Sequence, residues 1–441
     1  MINFKQTSMR KFFILFFLIF TPIIYLFIRL IEKKYIIRFG IFDVSRIGYF
    51  AAASELYLCN KKTQKKKNFI DIFAFEKPIC NNFFLSIVKR KIKFYSFYFV
   101  KSNVQFIKLI NQIFDLGKKN LLTESDISPC FDRDIYNFYD KLNKQISLTK
   151  NELNKGYELL KKIGIKKKDK IVCLIVRDNS YLKKKFPDRD FSYHDYRDCD
   201  VENFKETCHY LSNKGYVVFR MGEVANKKIS FSSDRIIDYP FSKIRSNFMD
   251  IFIAYICNFS ISTGTGYDAL PAIFRKPTLY TNVIPVGCVM SFSKKNTYLF
   301  KKCYSKLNKS PISLSKIFDL NLQLADTSQE FKKKNIDLIE NNSNEILQAI
   351  KDKLKTFNSK NKKMSLSKNQ KLFWKKFINL VSYSKFINKY ILTERDLSSK
   401  SLIKSTKKPS KQFIEKNKKY YGGFKGKVAN SFLEKNMHFL K

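Results

Sequence analysis

Residues 260–282 read SISTGTGYDALPAIFRKPTLYTN, and this stretch decides the class of fold. An apolar strand runs into Thr263-Gly264-Thr265-Gly266, a helical pattern follows from Tyr267, and Lys276-Pro277 leads into a second strand at Thr278. Strand, glycine turn, helix and strand in that order predict βαβ units and a parallel sheet. Such a turn offers backbone N–H groups and a helix N-terminus to a diphosphate, with glycine permitting close approach and the threonine hydroxyls adding donors. A glycine-rich turn that only serves packing has the same sequence, so its neighbours must carry the argument.

Working outward, residues 171–176 form a continuous apolar run, as a strand buried on both faces requires, and Arg177 ends it. Residues 216–220 form another strand that ends in Arg220, and Arg245 begins the helical stretch 245–256. Parallel strands share one carboxyl edge, so Arg177 and Arg220 are expected to converge where open α/β sheets bind ligands. Residues 178–199 form a polar connection longer than a compact domain usually spends, which marks a functional loop. Residues 343–356 follow as a long helix with Ser343 as its expected N-cap.

Toward the N-terminus the alternation repeats. An apolar run at 35–42, the loop Asp43-Val-Ser-Arg-Ile-Gly48 and a helical stretch at 49–58 read as strand, loop and helix. Further strands are expected at 68–75 and 92–97, with helices near 82–88 and 104–114. Two α/β halves suit a chain of 441 residues, more than one core usually serves, and the boundaries fall at 1–34, 35–165, 166–357 and a Lys-rich tail at 358–441. Residues 12–28, FFILFFLIFTPIIYLFI, carry no charge and are about long enough to hold a bilayer. No small-residue cleavage site follows, which favours an uncleaved anchor over a signal peptide, although Pro22 also suits a kinked or re-entrant segment.

The net charge is +46, from 84 Lys and Arg against 38 Asp and Glu. That excess favours phosphates, whether in nucleotides, anionic headgroups or nucleic acid, although an AT-rich codon bias toward Lys, Ile, Asn, Phe and Tyr yields much the same composition. A hydrophobic fraction of 44% excludes wholesale disorder. The nine cysteines are scattered without C-x-x-C or zinc-like spacing and read as reduced thiols, which fits domains on the cytoplasmic face of an inner membrane.

Several of these motifs are familiar as a set. Phe39-Gly40, Arg46-Ile-Gly48, Glu55-Leu-Tyr57, Val176-Arg-Asp178-x-x-Tyr181, Asp190-Phe-Ser-Tyr-His-Asp-Tyr-Arg-Asp198, Gly215-Tyr216, Arg220-Met-Gly222, Arg245-Ser246, Asp250 and the Thr263–Gly266 turn resemble a glycosyltransferase family of bacterial surface-polysaccharide loci. The turn also looks like the donor site of ADP-heptose heptosyltransferases, which have the GT-B fold. The resemblance spans about residues 38 to 290 and leaves out anchor and tail. It implies two Rossmann-like domains facing a cleft, with the nucleotide-sugar donor on the second and a glycan or lipid-linked acceptor on the first. The donor residues would be Arg177, Asp178, Arg220, Arg245, Thr263, Gly264, Thr265 and Gly266, and the acceptor loop would hold Arg46 and Gly48. This chain has Tyr49 where the resemblance expects histidine.

Sugar transfer needs positive charge on the departing diphosphate and, for inversion, a base for the acceptor hydroxyl. Asp43, Glu55, Asp190, His194 and Asp195 are the candidates for that base. An arginine-lined edge supplies the charge without a metal or other cofactor. The rival metal-dependent scheme would use a D-x-D pair, matched at Asp132/Asp134, Asp188/Asp190 and Asp198/Asp200, none directly after a clear strand. A non-catalytic protein binding an anionic membrane surface or nucleic acid is the other class to weigh. No basic stripe within a nucleic-acid motif supports a specific nucleic-acid partner.

Overall fold

The computed structural model describes residues 2–63, 68–114, 116–122, 124–127, 134, 136–185, 187–289, 293–358, 365–382 and 425–441. The chain divides into two compact units, residues 1–133 with 144–147, and residues 134–143 with 148–441. The expected boundary near 165 therefore falls inside the second unit. The Lys150–Lys161 helix belongs there, started by a capping box in which the Thr149 hydroxyl accepts from the Glu152 amide at 3.3 Å and Glu152 accepts from the Thr149 amide at 2.7 Å.

In the first unit, β1 (Ile36–Asp43) and β2 (Phe69–Glu76) pair in parallel along eight residues each. Single bridges extend this pair on both sides, Leu121 to Phe39 and Phe94 to Phe73. The expected strand at 92–97 is thus reduced to one bridge, because the Phe97–Phe114 helix claims its end. Phe39, Ala74, Val100, Val104 and Ile107 form a core into which Ile28 of the Ile2–Ile31 helix inserts.

The second unit contains β3 (Lys170–Ile175), β4 (Tyr216–Arg220), β5 (Ile236–Asp238), β6 (Phe259–Ser262), β7 (Thr278–Val283) and β8 (Thr297–Phe300). A small antiparallel sheet of β9 (Lys302–Ser305), β10 (Ser310–Pro311) and β11 (Ile336–Ile339) follows. The last strand is β12 (Lys427–Val428). The main sheet is parallel throughout, in the order β12-β8-β7-β6-β3-β4-β5. The strand order therefore reverses between β3 and β6, which makes that crevice the topological switch point of a doubly wound sheet. Residues 171–175 of β3 are all buried, as the uninterrupted apolar run predicts. Across the sheet, the buried Lys353 ammonium donates to the Thr278 carbonyl at 3.2 Å and the Lys295 carbonyl at 3.1 Å, and burial pulls its pKa down to about 7.

Two expectations change here. Asn342, not Ser343, caps the Ser343–Asn358 helix, accepting from the Glu345 amide at 2.9 Å while Glu345 accepts from the Asn342 amide at 3.0 Å. The described parts of the segment expected as a tail belong to the core. Phe373, Trp374 and Phe377 of the Lys368–Ser382 helix are buried with Val428, Phe432, Leu433, Phe439 and Leu440. The Phe300 ring meets Phe373, Phe432 and Phe439 at 5.4–6.2 Å between centroids. Sequence periodicity misses this because the apolar residues are diluted by lysines and reach the core from both ends of a long connection. Phe373→Ala should accordingly cost about 3–5 kcal/mol, as deep aromatic truncations do. Urea denaturation checks it; a change below about 0.5 kcal/mol would return the segment to the surface.

Candidate active site

The site is built where β3 and β6 end. Thr263 follows β6 and donates its amide to the Ile175 carbonyl at 3.0 Å, while its hydroxyl accepts from the Arg177 amide at 2.8 Å. The two strand ends are thereby stitched together at the switch point. Gly264 has φ +81° and no heavy atom within 4 Å of where a Cβ would stand, so left-handed backbone and open space coincide at one residue.

The interior of the turn departs from the expectation of free amides. Asp268 is buried, and one of its oxygens accepts from the Ser262 hydroxyl at 2.9 Å and the Thr265 amide at 3.0 Å. The Gly264 amide goes to the Ser262 hydroxyl at 3.0 Å and the Tyr267 amide to the Thr265 hydroxyl at 3.2 Å. A turn whose N–H groups are this engaged is held rigid, and most of its charge for a ligand must come from side chains. The following helix is also shorter than expected, Ala269–Ile273, entered through a 3-10 turn at Gly266–Asp268.

That charge comes from two arginines. Arg177 lies beside the turn, with Nε 3.2 Å from an Asp198 oxygen. Arg197, near the end of the Asp190–Asp198 stretch, reaches back to donate to the Gly264 carbonyl at 2.6 Å. Burial, followed by the neighbouring Arg197 guanidinium, holds the Arg177 pKa below its ordinary value, against the pull of Asp198. The Asp198 carboxyl is pushed up to about 6, chiefly by burial and only partly offset by Arg177. Lys301 fixes the loop behind them, its ammonium donating to the carbonyls of Tyr196 at 3.0 Å and Asp198 at 2.7 Å. Two guanidiniums thus meet at the open end of the turn, with Asp198 paired to Arg177, Asp195 and Asp178 acting on Asp198, and Asp268 within electrostatic reach of Arg197.

The other donor-side candidates serve the walls. Arg220 is buried and lies 3.0 Å from Asp238 and 3.7 Å from Asp178, and it donates to the Lys227 carbonyl at 2.8 Å. Asp178 accepts from the Ser180 amide at 3.0 Å and the Asn226 amide at 3.2 Å, joining the loops after β3 and β4. Arg245 lies 3.4 Å from Asp250, which also accepts from the Tyr239 hydroxyl at 2.7 Å.

The long loop is more ordered than the sequence suggested, with a helix at Ser180–Lys185 and a 3-10 helix at Ser192–Arg197. Asp190 is exposed and accepts from the Ser192 amide at 2.8 Å and hydroxyl at 2.9 Å, contacts that hold its pKa down. His194 is half-buried, its ring 4.1 Å from that of Tyr193, and Asp195 is exposed. In the first unit, Asp43 ends β1 with one oxygen accepting from the Ser45 amide at 2.8 Å and hydroxyl at 2.6 Å. Arg46 is exposed beyond it, and Gly48 is buried at the start of the Ile47–Thr63 helix. Glu55 is fully buried and receives the amides of Gln145 at 2.8 Å and Ile146 at 3.0 Å, which ties the 144–147 segment to its unit. That geometry removes it from any acceptor hydroxyl.

Among the described residues no group of three His, Cys, Asp or Glu side chains is placed to hold a metal ion, and Asp132 lies outside them. The seven cysteines with described side chains are free thiols, five of them buried.

The buried carboxyls give a pH signature. Asp268 rises from 3.8 to about 6 through burial, partly countered by its hydrogen bonds. Below pH 4 both folded and unfolded chains hold the proton; between 4 and 6 the folded chain holds it alone; above 6 the full ionisation penalty applies. Stability should therefore fall as pH rises from about 4 to 7, with Asp268 contributing about 2–3 kcal/mol of that loss. Asp268→Asn should flatten this slope in denaturation curves taken across the window, and an unchanged slope would show that the carboxyl ionises freely in the folded chain.

No protein-family model matches the chain, and no curated protein does. Among solved structures, a glycosyl transferase of family 9 from Veillonella parvula DSM 2008 is similar at 8% identity and a TM-score of 0.32, over 56% of this chain and 80% of that one. An ADP-heptose lps heptosyltransferase II from E. coli is similar at 10% identity and a TM-score of 0.33, over 60% of this chain and 90% of that one.

Proposed function

We propose that this chain is a glycosyltransferase that moves a sugar from a nucleotide-sugar donor to a surface-glycan or lipid-linked acceptor, with the donor on the second unit and the acceptor on the first, as in GT-B enzymes. The observation that carries this reading is the convergence of Arg177 and Arg197 on the Thr263–Gly266 turn at the switch point between β3 and β6. A diphosphate suits that place. Its negative charge is present in the bound donor and grows as the glycosidic bond breaks, so fixed guanidiniums stabilise the transition state more than the ground state. Gly264 leaves room for a phosphate to approach the backbone, and Thr265 adds a hydroxyl. The motif resemblance agrees with this chemistry. We assign no metal to the reaction, because the arginines supply the charge a cation would bring.

For the base, the candidates that reach solvent are Asp43, Asp190, Asp195 and His194, the last half-buried. Asp43 sits at the carboxyl end of a parallel strand, where such folds place reactive groups. The test begins with the nucleoside diphosphates UDP, GDP, ADP, CDP and dTDP in calorimetry. One should bind, and Arg177→Ala and Arg197→Ala should each weaken it by at least tenfold while melting stays cooperative. Gly264→Val should abolish it. Binding of none, or equal binding to parent and arginine variants, overturns the reading.

A further inference from the structure

The N-terminal helix is long and apolar enough to cross a membrane over Phe12–Ile31, with mean hydropathy 2.5. Its packing argues for a different placement. Ile14, Phe17, Thr21, Tyr25 and Ile28 recur at helical spacing as the partly or fully buried stripe, and it meets the Phe97–Phe114 helix along its length. Phe13 stacks on Tyr98 at 5.3 Å, Phe17 meets Phe99 at 6.2 Å, Tyr25 meets Phe106 at 5.8 Å, and the Ser102 hydroxyl donates to the Ile14 carbonyl at 2.9 Å. The partner helix is part of the folded unit. It carries exposed Gln105, Lys108 and Gln112, and its Phe99 packs on Phe39 of β1 at 6.2 Å.

A helix held this way cannot cross a bilayer without drawing its partner's Lys108 and the adjoining sheet into the hydrocarbon, where unpaired polar groups are excluded. From Phe12 to Leu30 the opposite face is apolar, with Phe12, Phe16, Ile19, Ile23, Phe27 and Leu30 all exposed. Where the helix ends, Arg29 and Lys119 lie 2.6 Å and 3.0 Å from the Glu32 carboxylate, and Lys33, Lys34 and Lys118, their neighbours in the sequence, are exposed. A one-sided apolar face with cations at its C-terminal end matches the boundary between acyl chains and anionic headgroups.

We infer that this helix lies in the plane of one leaflet of an anionic phospholipid bilayer, with its exposed stripe among the acyl chains and both of its ends on the same side as the folded units. The inference is independent of the sugar-transfer reading. An N-terminal epitope tag on the full chain tests it through trypsin, which cuts next to Lys5, Arg10 and Lys11. In inverted membrane vesicles no tagged fragment should survive, and in intact spheroplasts the tag should be fully protected. A protected tagged fragment in inverted vesicles, with loss of the tag from spheroplasts, would mean a spanning helix and overturn the inference. Complete release of the chain by high salt would overturn it as well. A purified Phe16→Glu, Ile23→Glu variant should pellet at least tenfold less with vesicles of phosphatidylglycerol and phosphatidylcholine, at an unchanged melting temperature. Equal pelleting would show that the stripe does not meet lipid.

Discussion

Asp268 is the constraint on which the candidate site depends. A buried carboxylate is costly to keep, and this one, in the 3-10 turn after β6, is kept by donors from both arms of its own turn, the Ser262 hydroxyl and the Thr265 amide. Those two bonds set the path of residues 262–268. With the path fixed, the Thr263 hydroxyl is in place to accept the Arg177 amide, and the Gly264 carbonyl is in place to accept Arg197. The positive charge at the switch point is therefore a consequence of a negative charge hidden below it. Asp250 acts similarly one layer away, where it takes the Tyr239 hydroxyl and pairs with Arg245, and Tyr267 donates to its backbone carbonyl.

In the second unit β3, β4, β6 and β7 were legible because each is an apolar run, and the ends of β3, β4 and β6 because Arg177, Arg220 and the Thr263–Gly266 turn mark them, whereas β8 to β12 carry no such pattern. Arg177 and the Thr263–Gly266 turn could be placed together from that pattern alone. Arg197 could not. It sits among Asp195, Tyr196 and Asp198, where charge alternation reads as a solvated network, and only the return of the chain through the 3-10 helix at Ser192–Arg197 brings it to Gly264. Asp268 was missed for a similar reason: an acid in the first turn of a helix is ordinarily an exposed partner of the helix dipole. Glu55 was misplaced because a lone glutamate in a helix is usually solvated, and the donors that bury it, Gln145 and Ile146, are ninety residues away.

The large net charge is not what makes the site. Lys353 and Lys301, for example, direct their ammoniums to backbone carbonyls inside the second unit. What distinguishes the switch point is that two guanidiniums, Arg177 and Arg197, are held close enough to act on one another beside a single turn. Because burial raises the Asp198 carboxyl to about 6, the ion pair that restrains Arg177 already weakens as pH falls into the mildly acidic range. An arriving anion would compete with Asp198 for the same guanidinium, and the competition is easier against a carboxylate that burial has already disfavoured. A site arranged this way can exchange one anion for another without leaving the half-buried Arg177 guanidinium unpaired.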